Sequence, residues 1–117
     1  MELVGRIIYA LPLALMGVNH FLNLKAMTSY AESKKLPVPQ LSVILSGIIL
    51  IIGLLGIVFN FQTKIAGWLV VAFLLISAIL MHNFWTVEDE NMKMVEMTQF
   101  LKNVALAGGA IAIIYLI

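Results

Sequence analysis

The stretch IAGWLVVAFLLISAILMHNFW, residues 65–85, decides the fold. Its first seventeen residues carry no charge and run directly into His82, Asn83, Phe84 and Trp85. About 20 helical residues cover the ~30 Å of a bilayer's hydrocarbon core, so a run of this length reads as a membrane crossing. Ionisable and polar side chains at the end of a crossing are costly against lipid. They turn instead toward a neighbouring helix or a watery pocket.

Three more apolar runs accompany this one, and together they predict helices over about 3–24, 41–59, 65–84 and 88–116. The composition points to the same class. Of 117 residues, 62% are hydrophobic and only 11% charged, with a mean hydropathy of +1.06; soluble domains carry roughly 25% charged residues. Each run is apolar nearly all round, as suits a helix bathed in lipid. The runs are too long, and too rich in Leu, Ala, Met and Gly, for the alternating strands of a barrel. The expected fold is all-α: one domain, residues 1–117, forming an antiparallel bundle of four transmembrane helices. A net charge of +1 with no basic block gives nucleic acid nothing to bind. Without cysteine there is no disulfide, no thiolate ligand and no thiol redox chemistry. Residues 1–19 lack the basic leading segment and the clear small-residue cleavage site of a signal peptide, and read as a lasting crossing.

The connections add detail. Pro12 should bend the first helix and free a carbonyl near Ile8. Residues 25–40 hold Lys25, Glu32, Lys34 and Lys35, then Pro37 and Pro39, which stop one helix and open the next. Met27, Tyr30, Ala31 and Lys34 fall at helical spacing there, so a short helix lying on the interface fits. Residues 60–64 make a tight turn. Residues 86–96 are acidic, and Thr86 with Asp89 gives a weak capping signal for a last helix that stands proud of the bilayer. Gly47, Gly53 and Gly56, with Ala105, Gly109 and Ala112, supply small residues for close helix approach. Lysines near the helix ends lean the two longer connections toward the cytoplasm by a narrow margin.

Depth along the crossings selects the candidate site. Asn19 and His20 end the first crossing, Ser46 opens the second, and His82 and Asn83 end the third. Lys102 and Asn103 lie early in the fourth, where Glu96, Gln99 and Asn103 share one face. Antiparallel topology puts all nine in one leaflet. Three uses fit them. They can be hydrogen-bond glue between helices, at roughly 0.6 kcal/mol per bond. They can line a polar pocket for the head of an amphipathic molecule such as a quinone, since an imidazole both donates and accepts and a lysine supplies a positive field. Or they can face a partner protein. A metal or haem is not expected: His20, His82 and Glu96 have no ligating spacing, and both histidines lie near one face. Lys102 can snorkel, pair with Glu96 or Asp89, or charge the pocket. Arg6, near Lys64 at the other face, suits a lipid phosphate, and Trp68, Trp85 and Tyr115 sit where interfacial aromatics belong.

Several blocks then resemble one family. Gly5-Arg6 opens the first helix and Gly17-Val18-Asn19-His20-Phe21 closes it; Pro37-Val38-Pro39 and Ser46-Gly47, with the later Gly53, lead the second. His82-Asn83-Phe84-Trp85 and Phe100-Leu101-Lys102-Asn103, with Gly108-Gly109, complete the pattern. Over nearly its whole length the chain resembles the DoxX/DoxD-like family of small four-helix membrane proteins. That resemblance implies a link to a terminal quinol oxidase or to thiosulfate:quinone oxidoreductase, although many short members have no assigned activity. It transfers no roles to His20, His82 or Lys102.

The expected function is an accessory subunit, not itself catalytic, of quinone/quinol redox metabolism in a bacterial inner membrane. A quinone is the expected cofactor. The bilayer, a protein of a redox complex and further copies of the chain are the expected partners. The alternative is an interaction or assembly protein that stabilises a larger membrane complex. Solute transport ranks last, because no broken-helix pair or charged pathway crosses the middle.

Overall fold

Lipid offers the backbone no hydrogen-bond partner, so each crossing must close its bonds within a helix. The structure, a computed structural model, describes residues 1–116. Five helices follow in order: α1 (Glu2–Leu22), α2 (Leu24–Ser33), α3 (Pro39–Val58), α4 (Thr63–Met81) and α5 (Glu90–Leu116). A single 3-10 turn, Phe84–Thr86, links α4 to α5, and no strand occurs among the described residues. α1, α3, α4 and α5 are long and apolar enough to cross a membrane. The protein is an all-α polytopic membrane protein, 42 Å in its longest dimension.

Two expected helices end early, each for a local reason. The first crossing stops at Leu22 rather than residue 24. Asn23 leaves helical geometry (φ −120°, ψ 40°) and its side-chain amide donates to Asn19 Oδ1, after which α2 starts afresh at Leu24. The third crossing stops at Met81 rather than residue 84. His82 takes φ −121°, ψ 43°, and the side chains of His82 and Asn83 are turned toward groups on α5 and α2. At the other ends, Pro39 opens α3 as a first-turn proline should. Asp89 Oδ1 accepts the Asn91 backbone N–H at 3.3 Å as α5 begins. α1 is continuous through Pro12.

Packing runs α1 on α3, α3 on α4 and α4 on α5, with α2 laid against α3. The core is apolar: Ala10 and Leu13 of α1, Leu50, Leu54 and Ile57 of α3, Val70 and Leu74 of α4, Ala107, Ala110 and Ile114 of α5. Tyr9 joins α1 to α5; its hydroxyl donates to the Leu106 carbonyl and its ring lies over Gly109. Arg6 Nη1 donates to the Ile57 and Val58 carbonyls, 3.4 Å each, and so caps the end of α3 rather than reaching out to lipid. Large apolar side chains such as Ile8, Leu15, Ile52, Ile76 and Leu101 face outward, where lipid receives them.

Close approach of α3 and α4 depends on two glycines. A Cβ at Gly56 would lie 2.5 Å from Ala66 Cβ and 2.9 Å from the Phe61 carbonyl oxygen; one at Gly53 would lie 2.7 Å from Val70 Cγ2. By contrast, Gly108 has open space around it, and Ala105 and Ala112 turn outward. Gly56→Val should therefore destabilise the bundle by about 1–3 kcal/mol through overpacking. Gly108→Ala should be neutral or stabilising by up to about 1 kcal/mol. Reversible unfolding of the detergent-solubilised variants checks both.

Candidate functional site

α2 is short, and one face of it makes the site. Ala31 is fully buried against the bundle and anchors that face, and Tyr30 and Lys34, one turn apart, flank it. Both side chains reach across to Glu96, in the second turn of α5, which is only 5% exposed. The Tyr30 hydroxyl stands 3.0 Å from Glu96 Oε1, 2.9 Å from Oε2 and 3.1 Å from the Met81 carbonyl oxygen. Met81 ends α4, so its carbonyl has no partner within its own helix, and the phenol fills that need. Lys34 Nζ lies 2.9 Å from Glu96 Oε2 and donates to Asn83 Oδ1 at 3.2 Å. His82 Nδ1 stands 3.5 Å from Glu96 Oε1; it is buried and, among the described residues, has no hydrogen-bond partner.

Charge explains the arrangement. A lone carboxylate inside a membrane helix is expensive, whereas an ion pair with further donors offsets its loss of hydration. Glu96 holds Lys34 as counter-ion and Tyr30 as donor. Burial foremost, then the hydrogen bond and negative charge of Glu96, hold the Tyr30 phenol well above its ordinary pKa, so it stays a proton donor. Next to this cluster Phe84, Trp85 and Phe100 pack edge to face with centroids 5.4–5.7 Å apart. Trp85 remains 52% exposed.

The structure joins part of the expected set. His82, Asn83 and Glu96 meet through Lys34 and the Glu96 carboxylate, and Lys102 is half-buried further along α5. Gln99 is half-buried and Asn103 buried, one and two turns further along α5. His20 is also buried, but its Nδ1–H donates to the Met16 carbonyl at 2.8 Å and its ring tilts against Phe73. Asn19 accepts from Asn23 and extends its amide toward the Met27 sulfur at 4.0 Å. Ser46 donates to the Val43 carbonyl at 2.9 Å within its own helix. His20, Asn19 and Ser46 thus make these bonds locally, away from Glu96. Tyr30 and Lys34 were missed as site residues, although their helical spacing beside Ala31 was visible and would have nominated them had α2 been folded onto the bundle.

Among the described residues, no three His, Asp or Glu side chains converge on a point where a metal ion could sit. Two open depressions run along the outer side of α2, one lined by Asn23, Lys25 and Ser29, the other by Thr28, Glu32 and Gln40; neither is lined by Glu96.

The DoxX family model matches residues 1–83, from the start of α1 to the turn that follows α4. The chain belongs to the DoxX family. No curated protein and no solved structure matches it. Four apolar crossings and this membership make it an integral membrane protein with a lipid-facing surface. In this DoxX-family protein the matched segment carries Tyr30, Lys34, His82 and Asn83, while Glu96 lies beyond it on α5.

Lys34→Met would leave the Glu96 carboxylate buried beside apolar atoms and should cost about 3 kcal/mol of stability. Adding Glu96→Gln removes the stranded charge and should restore more than half of the loss. A double-mutant cycle on the purified protein measures that coupling.

Proposed function

We propose that this DoxX-family protein is an accessory membrane subunit of quinone/quinol redox metabolism, and that the Glu96 cluster receives the head group. One observation carries the reading. A buried carboxylate is ringed by a phenol, an ammonium group and an imidazole at the level where α2 rests on the bundle, and the imidazole keeps an unpartnered Nδ1. A quinone-type molecule keeps its tail in lipid and its ring near the headgroups, so it meets polar groups at this depth. Phe84, Trp85 and Phe100 offer an aromatic wall there. The redox setting associated with the family favours such a ligand over other amphiphiles.

The chain has no cysteine, and its expected role is to hold the ligand while a partner protein supplies the redox centre. A bacterial inner membrane suits that role. The second reading, an assembly protein, is favoured by the way the same bonds lash α2 to α4 and α5.

The two readings separate on ligand content. After gentle solubilisation and lipid extraction, wild type should carry near-stoichiometric quinone and quinol, the two redox forms counted together. His82→Ala and Glu96→Gln, checked for retained helicity, should carry about tenfold less, because a buried hydrogen bond is worth about 1–2 kcal/mol. Wild type free of both quinone and quinol, or variants that retain as much as wild type, would rule out the head-group reading and leave the assembly role.

A further inference from the structure

Tyr30 already presents to Glu96 what a hydroquinone would present: a ring hydroxyl. Its oxygen lies 3.0 and 2.9 Å from the two carboxylate oxygens and 3.1 Å from the Met81 carbonyl oxygen. All three of these neighbours accept hydrogen bonds. With Lys34 Nζ 2.9 Å away, the carboxylate is half of an ion pair and has no proton of its own to offer. A ring hydroxyl satisfies such a place. The oxidised form of the same head group ends in carbonyl oxygens, which only accept; at the place of the Tyr30 hydroxyl it would face three acceptors with its lone pairs opposed, while Lys34 Nζ is already engaged by Glu96 Oε2 and Asn83 Oδ1. A buried site built to take an O–H rejects an analogue that lacks it, because its own polar groups are then left unpaired.

We propose that the Glu96 site takes the reduced, hydroxyl-bearing form of an aromatic head group, and that Tyr30 is a built-in stand-in that occupies the site until a hydroquinone displaces it. This rests on the head-group reading above and adds to it the redox form of the ligand and the residue that competes with it. Tyr30 is placed to yield. It is 37% exposed, so its ring lies at the rim of the cluster rather than in the core. α2, which carries it, hangs between the interruption at Asn23 and a link in which Lys35 (φ 60°) and Val38 (φ 43°) both adopt left-handed backbone. A β-branched residue such as Val38 is strained in that conformation, so the link that holds α2 is not at its backbone minimum. An internal competitor reduces apparent affinity by the fraction of molecules it keeps closed, so removing it tightens binding without any new contact.

The test uses the full chain in lipid nanodiscs, with empty discs as the partition control, and two probes: a decyl-benzoquinol kept reduced under anaerobic conditions and the matching decyl-benzoquinone. Equilibrium dialysis of wild type should show the quinol bound at least about tenfold tighter than the quinone. Tyr30→Phe keeps the ring and its packing but loses the hydroxyl, and Tyr30→Ala empties the place. Each should tighten quinol binding, with Tyr30→Ala doing so by about tenfold. Glu96→Gln offers an amide N–H as well as an oxygen, and should abolish the preference between the two forms. Equal binding of quinol and quinone to wild type, or unchanged quinol affinity in both Tyr30 variants, overturns this proposal and leaves the head-group reading standing. Binding of neither probe above empty discs overturns both together.

Discussion

A carboxylate two turns into a membrane helix has to be neutralised from within the protein, and much of the α2 side of this bundle follows from that need. Insertion scales put a lone charge at the bilayer centre near 3 kcal/mol per residue, falling toward the interface. Glu96 meets the cost with Tyr30 on α2 and Lys34, the residue that caps the end of that helix. The short helix is consequently drawn onto the bundle rather than left lying free on the headgroups. The same pull reaches α4, where His82 and Asn83 leave the helix and the Met81 carbonyl turns to the Tyr30 hydroxyl. Local helix breaks, the placement of α2 and the polar cluster are thus one electrostatic solution seen from three sides.

Much of the architecture was legible in the sequence because it depends on long-range averages. Uncharged runs near the length of a bilayer predict crossings regardless of how neighbours pack, and Pro39 marks the start of α3 by its own stereochemistry. The site was legible only by depth. Depth selects a leaflet, but not which polar groups in that leaflet meet. His20 shows the limit: the carbonyl one turn back, at Met16, is always within reach of a helical side chain, and the imidazole takes it. Ser46 does the same with Val43. Tyr30 and Lys34 escaped for the opposite reason. Their spacing was plain, but the carboxylate that gives them meaning lies more than sixty residues away. Arg6 was likewise drawn inward, to the carbonyls at the end of α3.

The two faces of the bundle are therefore built differently. At the face bearing the chain's N-terminus, helices are stitched by backbone carbonyls, with Arg6 on Ile57 and Val58, and with Tyr9 on Leu106 deeper in the bundle. Those contacts satisfy helix carbonyls, although Arg6 Nε itself is buried with no hydrogen-bond partner among the described residues. At the α2 face the bonds run between side chains that can titrate or exchange partners, and one imidazole nitrogen remains unmatched. At that second face polar contacts can be traded without unravelling a helix, which is why the proposed head-group site is placed there.

The four-residue link between α3 and α4 restricts how far the two spans can part. A connection that short keeps the end of α3 and the start of α4 within about 18 Å of each other wherever the two spans lie. Gly53 and Gly56 already fit the two surfaces together over Ala66 and Val70. The pair is therefore held as a close hairpin by its own chain, and α1 packs on the α3 side of that wedge and α5 on the α4 side.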